Sequence, residues 1–388
     1  MAFPHPPRSG SPEFQPSDEA LAGQEQDAVL GRRLGLSRRQ ILAAGTGIAA
    51  AAALPAFPRQ AAADGPLIRD SKRGIILYTV RDAISRDPLT TNLPSGFRRV
   101  LEALSEIGFE RVEFAGYRQH ANAEGGADLE TVEGARLLRR WLDDNGLRAE
   151  GNHGFIPSSW PLTQADLDRF KRTLEIAGIL GLDHMGTGSD PTSSAYKADW
   201  DVAADKWHQL GAIARQAGGT KLYTHNHDAA YNFLLDSGPP DALGRPTRSS
   251  GIRRLEYFLK ITDPKYVYLE MDIYWAHVAQ HRFRTFTAPD GSVQTDVFDP
   301  VAVVRPVERR FPLFHAKDGR SNPANANGYD MVPFGTGDID YAAFFRELKS
   351  GHHYPMYEQD NAPGGTADPG QSLRFAELSY DNMSALRR

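Results

Sequence analysis

Residues 97–114, FRRVLEALSEIGFERVEF, contain the pattern that decides the fold. The first part of this stretch repeats apolar residues every three or four positions, as one face of a helix requires. These residues are Phe97, Val100, Leu101, Leu104 and Ile107. Gly108 can then end the helix in a left-handed conformation, and residues 111–114 have the branched and aromatic composition of a strand. The stretch therefore predicts one repeat of an alternating α/β fold.

The same succession recurs along the chain. Glycines precede four further runs that we predict to be strands, at 147–150, 182–185, 221–224 and 354–357. Three more predicted strands, at 74–78, 266–270 and 311–314, bring the number to eight, with starts about 35–45 residues apart. Eight strands alternating with helices favour a single-domain α/β fold, the parallel (β/α)8 TIM barrel. Long loops are expected at 188–201 and 279–299.

An open, doubly wound sheet is the alternative architecture. That fold usually carries the turn G-x-G-x-x-G after its first strand. Residues 78–82 are Tyr-Thr-Val-Arg-Asp, and Gly186-Thr187-Gly188 after the fourth strand is too short to replace the motif. The barrel is therefore the preferred prediction.

The N-terminal part of the sequence differs from the repeating part. Arg38 and Arg39 precede residues 41–57, which carry no charge and are rich in Ala, and small residues follow at 61–63. This pattern is typical of an export signal and is too short and too weakly apolar for a comfortable membrane span. An Ala-rich helix or a retained anchor is the alternative interpretation.

The resulting domain prediction has two parts. Residues 1–63 are expected to form a cleavable export signal and a disordered segment, and residues 64–388 the TIM barrel. The paired arginines resemble a twin-arginine signal, which implies export of the folded protein to the periplasm or the extracellular space. No stable membrane span is expected after signal removal.

Composition excludes several kinds of site. The 388 residues are 40% hydrophobic and 24% charged, as in ordinary globular proteins. The sequence contains no Cys, which excludes disulfides, thiolate zinc sites, iron–sulfur clusters and a cysteine nucleophile. The formal net charge of -5 gives no electrostatic reason to expect a nucleic-acid partner, so a small molecule is favoured.

Polar side chains follow the predicted strands at the end where a barrel carries its active site. They are His153, His225-Asn226-His227-Asp228, Glu270-Met271-Asp272, His315-Ala316-Lys317-Asp318 and Glu358-Gln359-Asp360. Imidazoles and carboxylates gathered in one cup suit one divalent ion: Mn²⁺, Zn²⁺, Co²⁺ or Mg²⁺. Taken singly, a His or Asp at a strand end is more often a structural residue, but four consecutive strands share the pattern.

These motifs resemble those of the xylose isomerase-like superfamily, often described as sugar phosphate isomerases/epimerases, over residues 72–388. The similar motifs are H-N-H-D at 225–228, E-x-D-x-x-W at 270–275, H-x-K-D at 315–318, V-P-x-G-x-G-D-I-D at 332–340 and E-Q-D at 358–360.

The resemblance implies one divalent metal, with Asp272, His315 and Glu358 as ligands from strands six to eight. Strand five departs from the family pattern, because His225 stands where epimerases usually carry a Glu that is both ligand and base. We expect His225 to be the fourth ligand.

The chemistry expected of such a site is proton abstraction next to a sugar carbonyl through a metal-stabilised enediolate. In this hypothesis Glu358 is ligand and base, and His227 or His153 is the second proton carrier. Lys317 either orients a substrate oxygen or is a solvated loop cation.

Three further residues are expected to contact substrate: Trp275, Glu270 and Asp318. Trp275 is also compatible with simple packing. Glu270 is also compatible with supporting a ligand or forming a buried salt bridge.

A metal-dependent sugar isomerase or epimerase is therefore the preferred function. The second hypothesis is a lyase or dehydratase that eliminates from a keto-sugar, a ketoglycoside or an inosose. The third is an exported sugar-binding barrel without catalysis. Export favours an unphosphorylated carbohydrate, and the exposed helices of a barrel are compatible with a homo-oligomer. The sequence specifies neither the sugar nor the metal.

Overall fold

The computed structural model describes residues 65–348 and 351–387. Eight strands form the central sheet: β1 Gly74–Ile76, β2 Arg111–Phe114, β3 Arg148–Asn152, β4 His184–Thr187, β5 Lys221–Thr224, β6 Val267–Asp272, β7 Leu313–Ala316 and β8 Tyr354–Tyr357. They pair in parallel in the order β3-β2-β1-β8-β7-β6-β5-β4, and a bridge between His153 and Gly186 links the two edge strands. The predicted TIM barrel is confirmed.

Helices alternate with these strands along the chain. The α-helices are Arg81–Ser85, Gly96–Ile107, Val132–Asp144, Gln164–Leu180, Lys197–Gln216, Arg254–Ile261, Ile273–Arg282, Pro300–Val304, Tyr341–Glu347 and Gln371–Ala385. Short 3-10 helices are Asp70–Lys72, Leu77–Val80, Asp228–Tyr231 and Arg305–Arg310. The predicted glycine stops are confirmed at Gly108 and Gly181, where φ is 117° and 72°.

Four strands extend further toward the active-site end than predicted. β3, β4, β6 and β7 end at Asn152, Thr187, Asp272 and Ala316, each two residues beyond the predicted end. Asp272 and His315 therefore lie on the strands, where barrel hydrogen bonds fix the backbone, and not in loops. The first predicted strand is shorter than expected, because residues 77–80 turn into a 3-10 helix.

The two predicted long loops are partly wrong. Residues 197–201 begin a helix, and residues 279–282 end one. The rest of the second loop contains an antiparallel hairpin of Thr285–Thr287 and Val293–Thr295, which turns at Pro289-Asp290-Gly291.

Two more antiparallel hairpins were not predicted. They pair Ser237–Pro240 with Pro246–Arg248, and Asp318–Ser321 with Tyr329–Val332. The hairpins follow β5, β6 and β7, at the C-terminal ends of these strands. Arg253 supports the hairpins that follow β5 and β6. Its buried guanidinium donates to the backbone carbonyls of Tyr231, Phe283 and Asp296 at 2.7–3.1 Å.

The barrel interior changes character along its axis. Tyr223, Leu313 and Met356 form a small apolar cluster, against which Tyr268 and Tyr354 pack. The side chains beyond this cluster, toward the C-terminal ends of the strands, are charged and imidazole groups. The large hydrophobic core lies instead between the sheet and the surrounding helices.

The predicted export signal at 1–63 lies outside the described residues, so its cleavage and its boundary with the barrel stay predictions. Within the described part of the chain, no helix is both long and apolar enough to span a membrane.

Candidate metal centre

Four side chains from β5–β8 meet at the mouth of the barrel and are named here the outer ligand set: His225, Asp272, His315 and Glu358. His225 and Glu358 directly follow β5 and β8, whereas Asp272 and His315 lie on β6 and β7. One potential ligand atom from each lies within 4.8 Å of all the others, and all four residues are buried.

The spacing of the outer ligand set fits a single ion. His315 Nδ1 lies 2.8 Å from Glu358 Oε2, and Asp272 Oδ2 lies 3.9 Å from both His315 Nδ1 and His225 Nε2. Ligand bonds of about 2.1 Å in tetrahedral geometry separate the ligand atoms by about 3.4 Å. The structure thus brings together the four residues predicted as ligands, and metal binding itself stays a prediction.

Four buried atoms of the outer ligand set make no hydrogen bond, although Lys317 forms ion pairs with the two carboxylate oxygens among them: His225 Nδ1, Asp272 Oδ2, His315 Nδ1 and Glu358 Oε2. Buried polar atoms are normally paired, because leaving one unpaired costs about 1–3 kcal/mol. Asp272 shows the contrast within one side chain, since its Oδ1 accepts the Trp275 backbone N–H at 2.9 Å and caps the following helix. A divalent cation would satisfy the unpaired atoms.

Lys317 lies beside the outer ligand set and is only 1% exposed, so the solvated-cation interpretation is wrong. Its Nζ is 2.6 Å from Glu358 Oε2, 2.9 Å from Asp272 Oδ2 and 3.2 Å from Asp360. Burial disfavours the ammonium, but Asp272, Glu358 and Asp360 outweigh burial and raise the pKa of Lys317 well above its ordinary value. The ammonium is therefore permanently charged at neutral pH.

A second layer lies deeper in the barrel and is named here the inner set: Glu113, His153 and Glu270. His153 Nε2 is 2.9 Å from Glu270 Oε2 and 3.5 Å from Glu113 Oε1. Both glutamates are fully buried. Glu270, which was predicted to contact substrate, thus lies among imidazoles beneath the outer ligand set.

Glu113 was not predicted as a site residue. It is the third residue of β2, and its carboxylate meets the Tyr223 hydroxyl and His315 Nε2 inside the barrel. The only sequence signal is a carboxylate within a short strand whose neighbours Val112 and Phe114 are buried.

The charges of the inner set and the outer ligand set shift one another's pKa values. Burial, and then the charge of Glu270, raise the pKa of Glu113 to about 7. Burial also opposes ionisation of Glu270, but the imidazoles of His315, His153 and His225 outweigh it and hold the pKa of Glu270 well below its usual value. Burial and the neighbouring His315 lower the pKa of His225, which leaves a neutral imidazole suited to ligation.

Two other predicted residues lie at the rim. The His227 ring centroid is 5.2 Å from that of His225 and 5.4 Å from that of Trp275. Burial, and then the charge of Lys317, lower the pKa of His227, so its imidazole is neutral near pH 7. The Trp275 ring is half-buried and lies 5.6 Å from Lys317 Nζ.

Asp318 has a different environment from the one predicted. Its carboxylate accepts the backbone N–H groups of Gly319, Gly335 and Gly337 at 2.7, 2.8 and 3.0 Å. An added Cβ at Gly337 would lie 2.3 Å from Asp318 Oδ1, so a glycine is needed there. These contacts order residues 335–337, and a contact between Asp318 and substrate stays a prediction.

Comparisons with known proteins agree with this architecture. A crystal structure of a sugar phosphate isomerase/epimerase from Parabacteroides distasonis is 23% identical, with a TM-score of 0.57, over 81% of this chain and 94% of that chain. The probable 3-DHS dehydratase AsbF from Bacillus anthracis is 13% identical, with a TM-score of 0.52, over 80% and 97% of the two chains. The IOLI protein, solved with a zinc atom, is 12% identical, with a TM-score of 0.52, over 81% and 98%.

At these identities the structures show a common fold and no more. A search of curated protein sequences finds no match. The family model described as xylose isomerase-like TIM barrel matches residues 101–369, which is more than half of the sequence. The chain therefore belongs to the xylose isomerase-like TIM barrel family.

Proposed function

We propose that the protein is a divalent-metal-dependent isomerase or epimerase that removes a proton next to the carbonyl group of a sugar. The observation that carries this proposal is the outer ligand set: four buried side chains from consecutive strands, each with one atom that makes no hydrogen bond, beside the ammonium of Lys317. Sugar chemistry is in keeping with the family to which the chain belongs.

A divalent ion held by the outer ligand set would polarise a carbonyl and the neighbouring hydroxyl of a sugar, which makes the C–H bond between them more acidic. Lys317 supplies a second, fixed positive charge within 3 Å of Asp272 and Glu358. A substrate oxygen that gains negative charge as the proton leaves would be oriented and stabilised by this ammonium.

Two residues are assigned to move the proton. Burial opposes ionisation of Glu358, but His315 and Lys317 outweigh it and hold its pKa well below the usual value, so its carboxylate can accept a proton. His227 is half-buried at the rim and neutral, so its ring can accept a proton and, once protonated, return it. His153 Nε2 contacts Glu270 in the inner set, which makes His227 the better second carrier.

Proton return decides the product. Return to the opposite face of the same carbon gives an epimer, and return to the neighbouring carbon gives an isomer. The substrate class we propose is a keto-sugar or ketoglycoside, unphosphorylated if residues 1–63 direct export.

Elimination is the second candidate function, and one feature favours it. His225 occupies the strand-five position of the outer ligand set, so Glu358 is the only glutamate in that set. In an elimination the proton that Glu358 removes from carbon can be passed from its carboxyl group to the departing group, so one carboxylate is sufficient. The product would then be an unsaturated sugar.

The test combines metal analysis with isotope exchange. Purified protein is loaded with Zn²⁺ or Mn²⁺ and incubated in D₂O with a panel of keto-sugars and 3-ketoglycosides. Asp272→Asn should lose the metal and remain folded. Glu150→Gln is the control, because Glu150 is a buried strand carboxylate that pairs with Arg111 and not with the outer ligand set.

The products separate the hypotheses. Deuterium in an epimer or isomer supports the proposal, whereas an unsaturated product or a released aglycone supports elimination. A protein that binds metal and sugar without exchange in any substrate would be a binding barrel and would refute both enzymatic proposals.

A further inference from the structure

We infer that Glu113 and Glu270 are positioning residues that fix which nitrogen of His315 and His225 faces the metal centre. The inference rests on the proposed metal binding and assigns a role to two carboxylates that lie beneath the ligands. A ligand imidazole coordinates through one nitrogen, and a carboxylate that accepts the N–H of the other nitrogen holds the ring in place.

His315 is held from both sides. Its Nε2 lies 3.1 Å from Glu113 Oε2 and 3.2 Å from Glu270 Oε1, and its Nδ1 lies 2.8 Å from Glu358 Oε2. When Nδ1 and Glu358 Oε2 both hold an ion, no proton lies between them, so the ring proton belongs on Nε2, where Glu113 and Glu270 can accept it from below. The lone pair of Nδ1 is then directed at the outer ligand set.

His225 has the opposite arrangement. Its Nδ1 lies 3.4 Å from Glu270 Oε2, and its Nε2 faces Asp272 Oδ2 at 3.9 Å. A proton on Nδ1 directs the lone pair of Nε2 outward. The two ligand imidazoles would therefore be opposite tautomers, His315 through its hydrogen bond with Glu113 and His225 through its longer, 3.4 Å contact with Glu270.

The position of Glu113 is itself fixed. The Tyr223 hydroxyl donates to Glu113 Oε1 inside the barrel. Gly151 on the adjacent β3 leaves the necessary space, because an added Cβ would lie 3.2 Å from both Glu113 Oε1 and the Tyr223 hydroxyl oxygen. A carboxylate from β2 thus reaches a ligand on β7 through the interior.

A second metal site is not proposed at His153, His225, Glu270 and His315, although potential ligand atoms of these four residues also lie within 4.8 Å of one another. His225 and His315 belong to both groups. Two ions would need both nitrogens of each shared ring, so both rings would have to lose their remaining proton. We therefore expect one ion per chain, with protons on the inner nitrogens.

The test measures zinc affinity by competition with a chromophoric chelator. Glu113→Gln keeps the size of the side chain and removes its charge, and it should weaken zinc binding 10- to 100-fold. Glu150→Gln removes a buried strand carboxylate that pairs with Arg111 outside the cluster, so it should change the affinity less than about twofold. Equal affinity in Glu113→Gln and the wild type would overturn the inference and leave the metal proposal intact.

A second measurement needs no variant and covers the case in which Glu113→Gln does not fold. Nitrogen-15 histidine spectra of the zinc-loaded wild type distinguish the coordinated nitrogen from the protonated one. We expect His315 to coordinate through Nδ1 and His225 through Nε2. Coordination through the other nitrogens, or two zinc ions per chain, would overturn the inference. No zinc binding by the wild type would overturn the metal proposal and this inference together.

Discussion

Lys317 places a fixed positive charge against two predicted metal ligands. Its Nζ lies 2.6 Å from Glu358 and 2.9 Å from Asp272, so it balances their charge in the absence of an ion and repels an ion that binds. Two unit charges 4 Å apart interact by about 4 kcal/mol at an effective dielectric constant of about 20. A lysine in this position would weaken metal binding, so we expect its role to be the orientation of a substrate oxygen.

We expect Lys317→Met to bind zinc more tightly at pH 8, by roughly tenfold to a thousandfold, because a repulsion of up to about 4 kcal/mol is removed, and to lose most proton exchange with substrate. Without metal the variant should be less stable by about 3–5 kcal/mol, because buried Asp272 and Glu358 lose their partner. Zinc titration and denaturation in the presence of a chelator measure the two effects. The control is Lys221→Met, at an exposed lysine that begins β5. Weaker zinc binding by Lys317→Met would mean that Lys317 holds the ligands in place.

At the level of elements, the barrel could be predicted because each helix and strand has a local sequence pattern of its own. Gly108 and Gly181 end amphipathic helices in the left-handed conformation, and short apolar runs follow. The hairpin Ser237–Pro240 with Pro246–Arg248 has no such pattern, since it contains three prolines and exposed polar residues. Its neighbourhood depends on Arg253, whose partners lie up to 43 residues away.

The same contrast separates the two layers of the site. The outer ligand set could be predicted because each member stands at the end of an apolar run. Glu113 could not be predicted, because the role of a carboxylate inside a strand depends on its contacts, and its partner His315 lies 202 residues later in the chain. A contact between residues so far apart has no signature in the local sequence.

The loop after the hairpin of β7 depends on one carboxylate. Because Asp318 accepts three backbone N–H groups while buried, Asp318→Ala should destabilise the protein by about 2–4 kcal/mol. It should also speed amide exchange at Gly335 and Gly337. Urea denaturation and amide hydrogen exchange measure these effects, with Asp330→Ala in the same hairpin as control. Unchanged exchange together with lost sugar binding would instead indicate that Asp318 contacts substrate directly.

Across the whole molecule, stability and chemistry occupy different parts of the barrel. The apolar cluster of Tyr223, Leu313 and Met356 fills one part of the interior, and the inner set and outer ligand set fill the other. The buried carboxylates of these two sets are compatible with a folded barrel only when protons, Lys317 or an ion balance them. A protein that acquires its ion before leaving the cytoplasm would need a route that exports folded chains.

Export of a folded protein through the paired arginines of the predicted signal can be tested directly. Residues 1–63, fused to a reporter that is active only if it folds before export, should direct it out of a bacterial host with a twin-arginine pathway. Replacing Arg38 and Arg39 with lysines should abolish this export, because the pathway recognises the arginine pair and not its charge. The sequence supplies a matched control in Arg32 and Arg33, whose replacement with lysines should leave export unchanged. Equal export by both double variants would show that residues 1–63 do not act as a twin-arginine signal.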